Sequence, residues 1–168
     1  MAKEKYSQIG YIAVTESAAA TLTFNGLSVF SNVLSNSAMI IHRVAYHFRR
    51  TDYTTLVADQ DQVIFGLAGD DQMSSVRMDD AEVYDYNDVI SKHDGTAGSA
   101  QLIFQPKVND FGMLPGGGLI VPADRVFAFV QGVSVAAAFV LTCRFHFTIE
   151  ELTPADYLEL AQAMRVLK

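Results

Sequence analysis

The chain has 168 residues, one cysteine and a formal net charge of -7. It is one domain's worth of chain and can bury about two-thirds of its open surface without staples. Its single Cys143 excludes a disulfide framework and a cysteine-based zinc cage, and its acidic balance argues against general nucleic-acid binding. Charged residues are 18% and hydrophobic residues 50% of the chain, against ~25% charged in typical soluble domains. So little charge points to a subunit that hides part of its surface against copies of itself. The longest apolar runs fall far short of the ~20 residues of a membrane span. Residues Met1 to Gln8 carry no apolar stretch of signal-peptide type; they are expected to form an N-terminal arm.

Apolar residues alternate in many short stretches separated by turn residues, which is a β pattern. Ile9 to Thr15 is the first expected strand. Thr21 to Phe24, Asn25-Gly26 and Leu27 to Phe30 fit a two-residue hairpin, or one strand with a bulge at Gly26. Ala38 to Phe48 is a further strand, with Ile40, His42, Val44, Tyr46 and Phe48 on one face and Met39, Ile41, Arg43, Ala45 and His47 on the other. Gln62 to Gly69 is a short strand. The stretch from Asp59 to Asp94 holds ten acids against Arg77 and Lys92, a local charge of -8. Its part from Asp70 to Gly98 is the least regular, with one short strand near Glu82-Val83-Tyr84.

Ala100 to Gln105 reads as a strand closed by Pro106. Met113 to Gly118 is a backbone-permissive loop, followed by a short edge strand, Leu119 to Pro122. Arg125 to Val135 reads as the partner strand of the next one, with a turn at Ser134 to Ala136. Val126, Ala128 and Val130 lie on one face and Phe127 and Phe129 on the other, so it needs cover on both sides. Phe139 to Ile149 is the clearest strand: Phe139, Leu141, Cys143, Phe145, Phe147 and Ile149 share one face. The chain closes with a helix over 154–167, capped by Thr153, with Pro154 in its first turn. Its apolar stripe of Leu158, Ala161, Met164 and Leu167 is expected to pack on the protein's own barrel. No repeat or linker divides the chain, so residues 1–168 are expected to form a single all-β domain. Strands this numerous imply a jelly-roll β-sandwich or barrel of about eight strands with a short C-terminal helix.

Chemistry-bearing patterns are sparse. His42 and His47 point to opposite faces of a regular strand and cannot share a metal. His146 and His47 could meet across a sheet, the basis of a metal-dependent cupin-like alternative. Yet neither Ile41-His42-Arg43-Val44 nor Phe145-His146-Phe147 has the second histidine that the cupin motif needs. No Gly-x-Ser-x-Gly elbow exists, and Cys143 sits on an apolar face where a thiolate is disfavoured. Gly116-Gly117-Gly118 lacks the Lys-Ser/Thr of a phosphate loop and instead allows a tight turn or a close neighbour. Asp70-Asp71 and Asp79-Asp80 do not follow the helix-loop-helix calcium pattern. A solvated acidic loop is the plain reading of these pairs, and calcium bridging subunits the sharper one. His47-Phe48-Arg49-Arg50 is a small basic-aromatic cluster that reads as surface charge. Tyr84 and Tyr86 are the thin basis of a second alternative, a ligand- or receptor-binding module of a virion fibre or spike. No catalytic residue, metal ligand or cofactor is expected.

The run Gly116-Gly117-Gly118-Leu119-Ile120-Val121-Pro122, the strand from Arg125 to Gln131 and the long strand from Phe139 to Ile149 carry a resemblance. The layout resembles single jelly-roll viral capsid proteins, above all the vertical single-β-barrel capsid proteins of tailless icosahedral phages and archaeal viruses. The resemblance implies a structural virion protein: a self-assembling shell subunit that meets its copies through apolar contacts and is not an enzyme. Other capsid or virion proteins would be its partners, with an inner membrane nearby but not spanned. It would reside in the virion after assembly in the host cytoplasm. Many jelly-roll capsid proteins carry an arginine-rich arm that neutralises the genome. Here Lys3 and Lys5 are offset by Glu4, so no direct nucleic-acid binding is expected. The expected subunit-contact residues are Met113, Leu114, Gly116 and Gly117 in the loop, with Phe127 and Phe129 on the following strand.

Overall fold

The computed structural model describes residues 7–27, 37–50, 60–92, 106–122, 126–133 and 137–163. They form nine strands and one helix: β1 (Gln8–Thr15), β2 (Thr23–Gly26), β3 (Ser37–Arg50), β4 (Gln60–Ala68), β5 (Val83–Lys92), β6 (Lys107–Asp110), β7 (Leu119–Pro122), β8 (Phe127–Val133), β9 (Phe139–Glu151) and α1 (Pro154–Ala163). A five-stranded sheet runs β1-β9-β3-β6, with β7 also paired to β3, and a four-stranded sheet runs β2-β8-β4-β5. Every pairing is antiparallel. The chain crosses between the sheets repeatedly, which is the jelly-roll way of closing a two-sheet sandwich. The expected all-β jelly roll with a short C-terminal helix is therefore the fold. The expected strand at Ala100 to Gln105, the turn at Ser134 to Ala136, the first six arm residues and the helix end beyond Ala163 lie outside the described residues.

The core lies between the sheets and follows the two-residue period of the strands. Ile12 and Val14 of β1 and Phe139, Leu141, Cys143, Phe145 and Phe147 of β9 meet Val63, Phe65 and Leu67 of β4 and Ala128 and Val130 of β8. Strand β3 obeys the period only in halves. Its register against β9 shifts between Ile41 and Arg43, leaving His42 as an extra residue. Such a bulge turns every later side chain to the other face. Met39 and Ile41 before it, and Val44 and Tyr46 after it, consequently all point into the core. This corrects the expected single alternation across Ala38 to Phe48.

Three further expectations change. Asn25-Gly26 is not a turn and carries no bulge: Thr23–Gly26 is one strand in unbroken register with Val130–Phe127, and the Leu27 N–H continues the ladder to the Val126 carbonyl at 2.9 Å. Long-range pairing overrides the local turn preference, because Phe24 packs on Phe129 with ring centroids 6.0 Å apart. The Asn25 side-chain amide also donates to the Ala13 carbonyl at 2.7 Å. Strand β8 is not the partner of β9; it pairs with β2 and β4 in the opposite sheet. Its two apolar faces explain why: Ala128 and Val130 face the core, and Phe129 lies beneath Met73 and Val76 of the β4–β5 connection. Finally, the acidic stretch contains a full ten-residue strand, β5. Its inward row of Asp85, Asn87 and Val89 carries two polar residues, which hides it from a search for apolar alternation.

Two polar clusters bridge the sheets. Tyr46 donates to Asp85 Oδ2 at 2.5 Å, and the Asn109 amide donates to both Asp85 oxygens at 3.0 and 2.8 Å. Asn87 also donates to Asp85, at 3.2 Å. Burial and the Asp85 charge push the Tyr46 hydroxyl well above its ordinary range and hold it protonated as the donor. At the end of the sandwich Glu16 is 3% exposed, accepting the Gly132 N–H at 2.6 Å and the Phe139 N–H at 2.7 Å. One carboxylate thus ties β8 to β9 across the sheets. Burial raises its pKa above the ordinary 4.5, and the backbone donors pull in the opposite direction.

Replacing Glu16 by Ala orphans two amide donors, which costs about 2–4 kcal/mol; equilibrium urea unfolding reads this as a lower midpoint. A raised carboxyl pKa binds its proton more tightly in the folded state, so the contribution of Glu16 to stability falls as pH rises past 4.5. The expected result is a loss of wild-type stability relative to Glu16→Gln over that rise. A gain would contradict the account.

Candidate assembly surface

β6 and β7 are two pieces of one interrupted edge strand. β6 pairs with Arg43 to Tyr46 and β7 with Ala38 to Ile41, on either side of the bulge. The chain leaves the sheet between them, over residues 111–118, at the level of His42. The extra residue therefore both corrects the facing of β3 and anchors the excursion. His42 Nδ1 lies 2.7 Å from the Gly117 carbonyl, and Nε2 lies 3.1 Å from Thr148 Oγ1. A carbonyl only accepts, so Nδ1 carries the proton that points at Gly117. The Phe111 N–H donates to the His42 carbonyl at 2.8 Å. His42 is thus a loop anchor, half-buried on the outer face.

The loop is further tied within itself. The Gly112 N–H donates to Asp110 Oδ1 at 2.9 Å. The Leu114 N–H donates to the Phe111 carbonyl and the Gly117 N–H to the Leu114 carbonyl, both at 2.9 Å. Gly116 and Gly117 have φ of +90° and +77°, a region costly to residues with a Cβ. At Gly118 a Cβ would sit 2.7 Å from Ile40 Cγ2 and 2.8 Å from the Ile41 carbonyl oxygen. The glycines thus serve tight turning and close approach. What the loop presents is apolar: Met113 is 95% and Leu114 44% exposed.

The six expected contact residues divide into two places. Met113, Leu114, Gly116 and Gly117 stand at the edge of the five-stranded sheet. Phe127 and Phe129 lie on the outer face of the other sheet, opposite Gly26 and Phe24 of β2. Phe127 is half-buried, whereas Phe129 is fully buried. The cover it needs comes from Phe24 and from Met73 and Val76 of its own chain, so Phe129 has no surface left to offer a neighbour. Leu158 of α1 is an exposed large hydrophobic residue, so this part of the helical stripe is not sealed on the barrel.

His47 stands opposite Thr142 and His146 opposite Arg43, so β3 and β9 do not bring the two histidines into one cross-strand pair. Among the described residues no group of three His, Cys, Asp or Glu side chains could hold a metal ion. Burial, aided by the Asp85 charge, pushes the Cys143 thiol far above its ordinary range. Asp70 accepts the Gln72 N–H at 3.0 Å and Asp80 the Arg77 N–H at 2.8 Å, as turn-closing carboxylates do. Tyr84 and Tyr86 are half-buried and pack against the two apolar clusters. The residues that sequence reasoning passed over are the outward row of β9 and its neighbours. Arg144 lies over the Tyr11 ring, 5.8 Å from its centroid. The polar parity of Thr142, Arg144 and His146 was the available signal.

No protein-family model matches the chain, and no curated protein matches it by sequence. The chain is similar in structure to Merkel cell polyomavirus VP1 solved in complex with disialyllactose, with a TM-score of 0.50, 6% identity and coverage of 90% of this chain and 97% of that one. It also aligns with the Merkel cell polyomavirus virus-like particle structure, with a TM-score of 0.44, 7% identity and coverage of 89% and 75%. The first of these shows a shared fold, in keeping with the jelly-roll strand order of the two sheets.

Replacing His42 by Ala removes the anchor and leaves the buried Thr148 hydroxyl without its ring partner. The expected cost is about 1–3 kcal/mol in chemical unfolding, with faster amide exchange at Gly117. Unchanged stability and exchange would show that the loop is held by other means.

Proposed function

We propose that this chain is a structural virion protein, a capsid shell subunit that assembles with copies of itself through apolar contacts and performs no catalysis. The observation that carries this is the tip of the 111–118 loop. Met113 and Leu114 are held out in water on a backbone pinned by His42 and by its own turns. Ordering such a loop before contact lowers the entropy that association must lose. An exposed apolar pair of this kind is a docking feature, and a shell multiplies one weak contact over many copies. The jelly-roll fold shared with viral capsid proteins supports the reading. So does the low charged fraction of 18%. On this reading the protein resides in the virion, its partners are its own copies and other capsid proteins, and Gly116 and Gly117 serve contact by shaping the loop.

The test is electron microscopy and light scattering of the purified protein, wild type and Met113→Asp/Leu114→Asp. Wild type is expected to form particles or rings, and the variant to fold but to need at least tenfold more protein to do so. A wild type that stays strictly monomeric at high concentration would overturn the proposal.

A further inference from the structure

A sheet edge with free N–H and C=O groups is a template for another strand, and proteins guard such edges with charge, proline, bulges or short length. Among the described residues, every edge strand but β1 is guarded. β2 and β6 have four residues each, and β7 has four and ends in Pro122. β5 carries Asp85 inward and Asp88 outward, and its register on β4 shifts at Leu67. β1 has eight residues with no charge and no proline, in unbroken register with β9 from Gln8 to Thr15. The Glu16 N–H donates to the Phe139 carbonyl at 3.0 Å. The alternate positions Gly10, Ile12 and Val14 therefore face β9, and Ile9, Tyr11 and Ala13 turn their backbone groups to the open side. The Asn25 amide donates to the Ala13 carbonyl at 2.7 Å, which agrees with this parity and closes that end. The stretch around Ile9 and Tyr11 has no described strand beside it, and both side chains are exposed, at 48% and 62%.

We infer that β1 pairs antiparallel with β1 of a second copy, about a two-fold axis at Gly10. A strand is the partner that satisfies outward backbone groups alternating in this way. A second copy fits because the open stretch is its own complement. With Gly10 on the axis, Ile9 stands opposite the partner's Tyr11 and exchanges both backbone hydrogen bonds with it, and Tyr11 does the same with the partner's Ile9. The outward side chains then form aromatic–β-branched pairs across the join. Like charges do not meet there. The Arg144 guanidinium over the Tyr11 ring belongs to β9. At least three strand spacings, roughly 14 Å, separate its strand from the same strand of the second copy, more than the ~10 Å Debye length at 0.1 M salt. The join goes beyond the assembly reading above, whose 111–118 loop stands at the opposite edge of the same sheet. A two-fold contact alone ends at a dimer, and a second contact at the far edge lets dimers extend.

Two single variants of the full chain, Ile9→Cys and Tyr11→Cys, test the register, because the natural Cys143 is fully buried. Opposed positions 9 and 11 would have Cα atoms roughly 5.5 Å apart, within disulfide reach, whereas neither position stands opposite its own copy. With diamide as oxidant, the equimolar mixture is expected to give about tenfold more covalent dimer on a non-reducing gel than either variant alone. Ile9→Pro removes an N–H that β9 does not use. It is expected to weaken self-association in sedimentation velocity by at least tenfold. Should it fail to fold by circular dichroism, Ile9→Lys/Tyr11→Lys sets like charges across the join and is expected to do the same. Association of a folded variant like wild type, or a crosslink with no preference for the mixture, would overturn this inference, and a wild type that still forms particles would leave the shell reading intact. Crosslinked dimers that persist in Met113→Asp/Leu114→Asp, with particles lost, would support both. A monomeric wild type would remove both.

Discussion

One extra residue in β3 governs both the inside and the outside of this sandwich. Without the shift at His42, the alternation that buries Met39 and Ile41 would turn Val44 and Tyr46 to solvent. With it, both halves of a fourteen-residue strand line one core. The same residue keeps its ring on the outer face, where it grips Gly117 and Thr148. A packing correction and a loop anchor are thus one structural event. The interruption of the edge strand into β6 and β7 falls at that level because the neighbouring ladder breaks there.

The two faces of the molecule follow from this arrangement. Inside, aromatic and aliphatic side chains fill the space between the sheets, and two carboxylates there are hydrogen-bonded. Asp85 takes donors from Tyr46, Asn87 and Asn109, and Glu16 takes two backbone amides. Buried polar groups satisfied in this way fix how the sheets sit, because any slip would orphan several at once. Outside, the bulge assigns Arg43 and His47 to the same face as Arg144 and Tyr11, while the acidic connection serves as lid for the opposite sheet. The negative stretch visible in the sequence is therefore not only solubilising charge. Its Met73 and Val76 complete a small second core around Phe129.

Strands whose faces differ cleanly were legible in the sequence. Phe139 to Ile149 has one apolar face and one largely polar face, and the structure keeps both. Thr153 was legible as a cap: its hydroxyl accepts the Asp156 N–H at 3.2 Å and donates to the Asp156 carboxylate at 2.7 Å. What escaped was decided by distant partners. Asn25-Gly26 has the chemistry of a turn, yet the pairing of β2 with β8 and the packing of Phe24 on Phe129 make it a strand. β5 escaped because its inward residues include Asp85 and Asn87. The bulge escaped because Met39, Ile40, Ile41, Val44 and Tyr46 occupy both parities, and nothing local says which residue to skip. At the assembly surface, the loop and its exposed Met113 and Leu114 were legible from glycine spacing, whereas the burial of Phe129 needed the lid, which lies more than forty residues away in sequence.

The exposed loop and the inward packing of both halves of β3 are set by a single register shift. Cysteine labelling under native conditions tests that shift most directly, because the one natural thiol, Cys143, is fully buried and silent. With the bulge at His42, Val44→Cys is expected to remain unreactive toward a water-soluble thiol reagent, and His47→Cys to react at once. An uninterrupted alternation from Met39 onward requires the reverse. Rapid labelling at position 44 with protection at position 47 would contradict the bulge, the anchoring of the loop and the outward placement of Arg43 together.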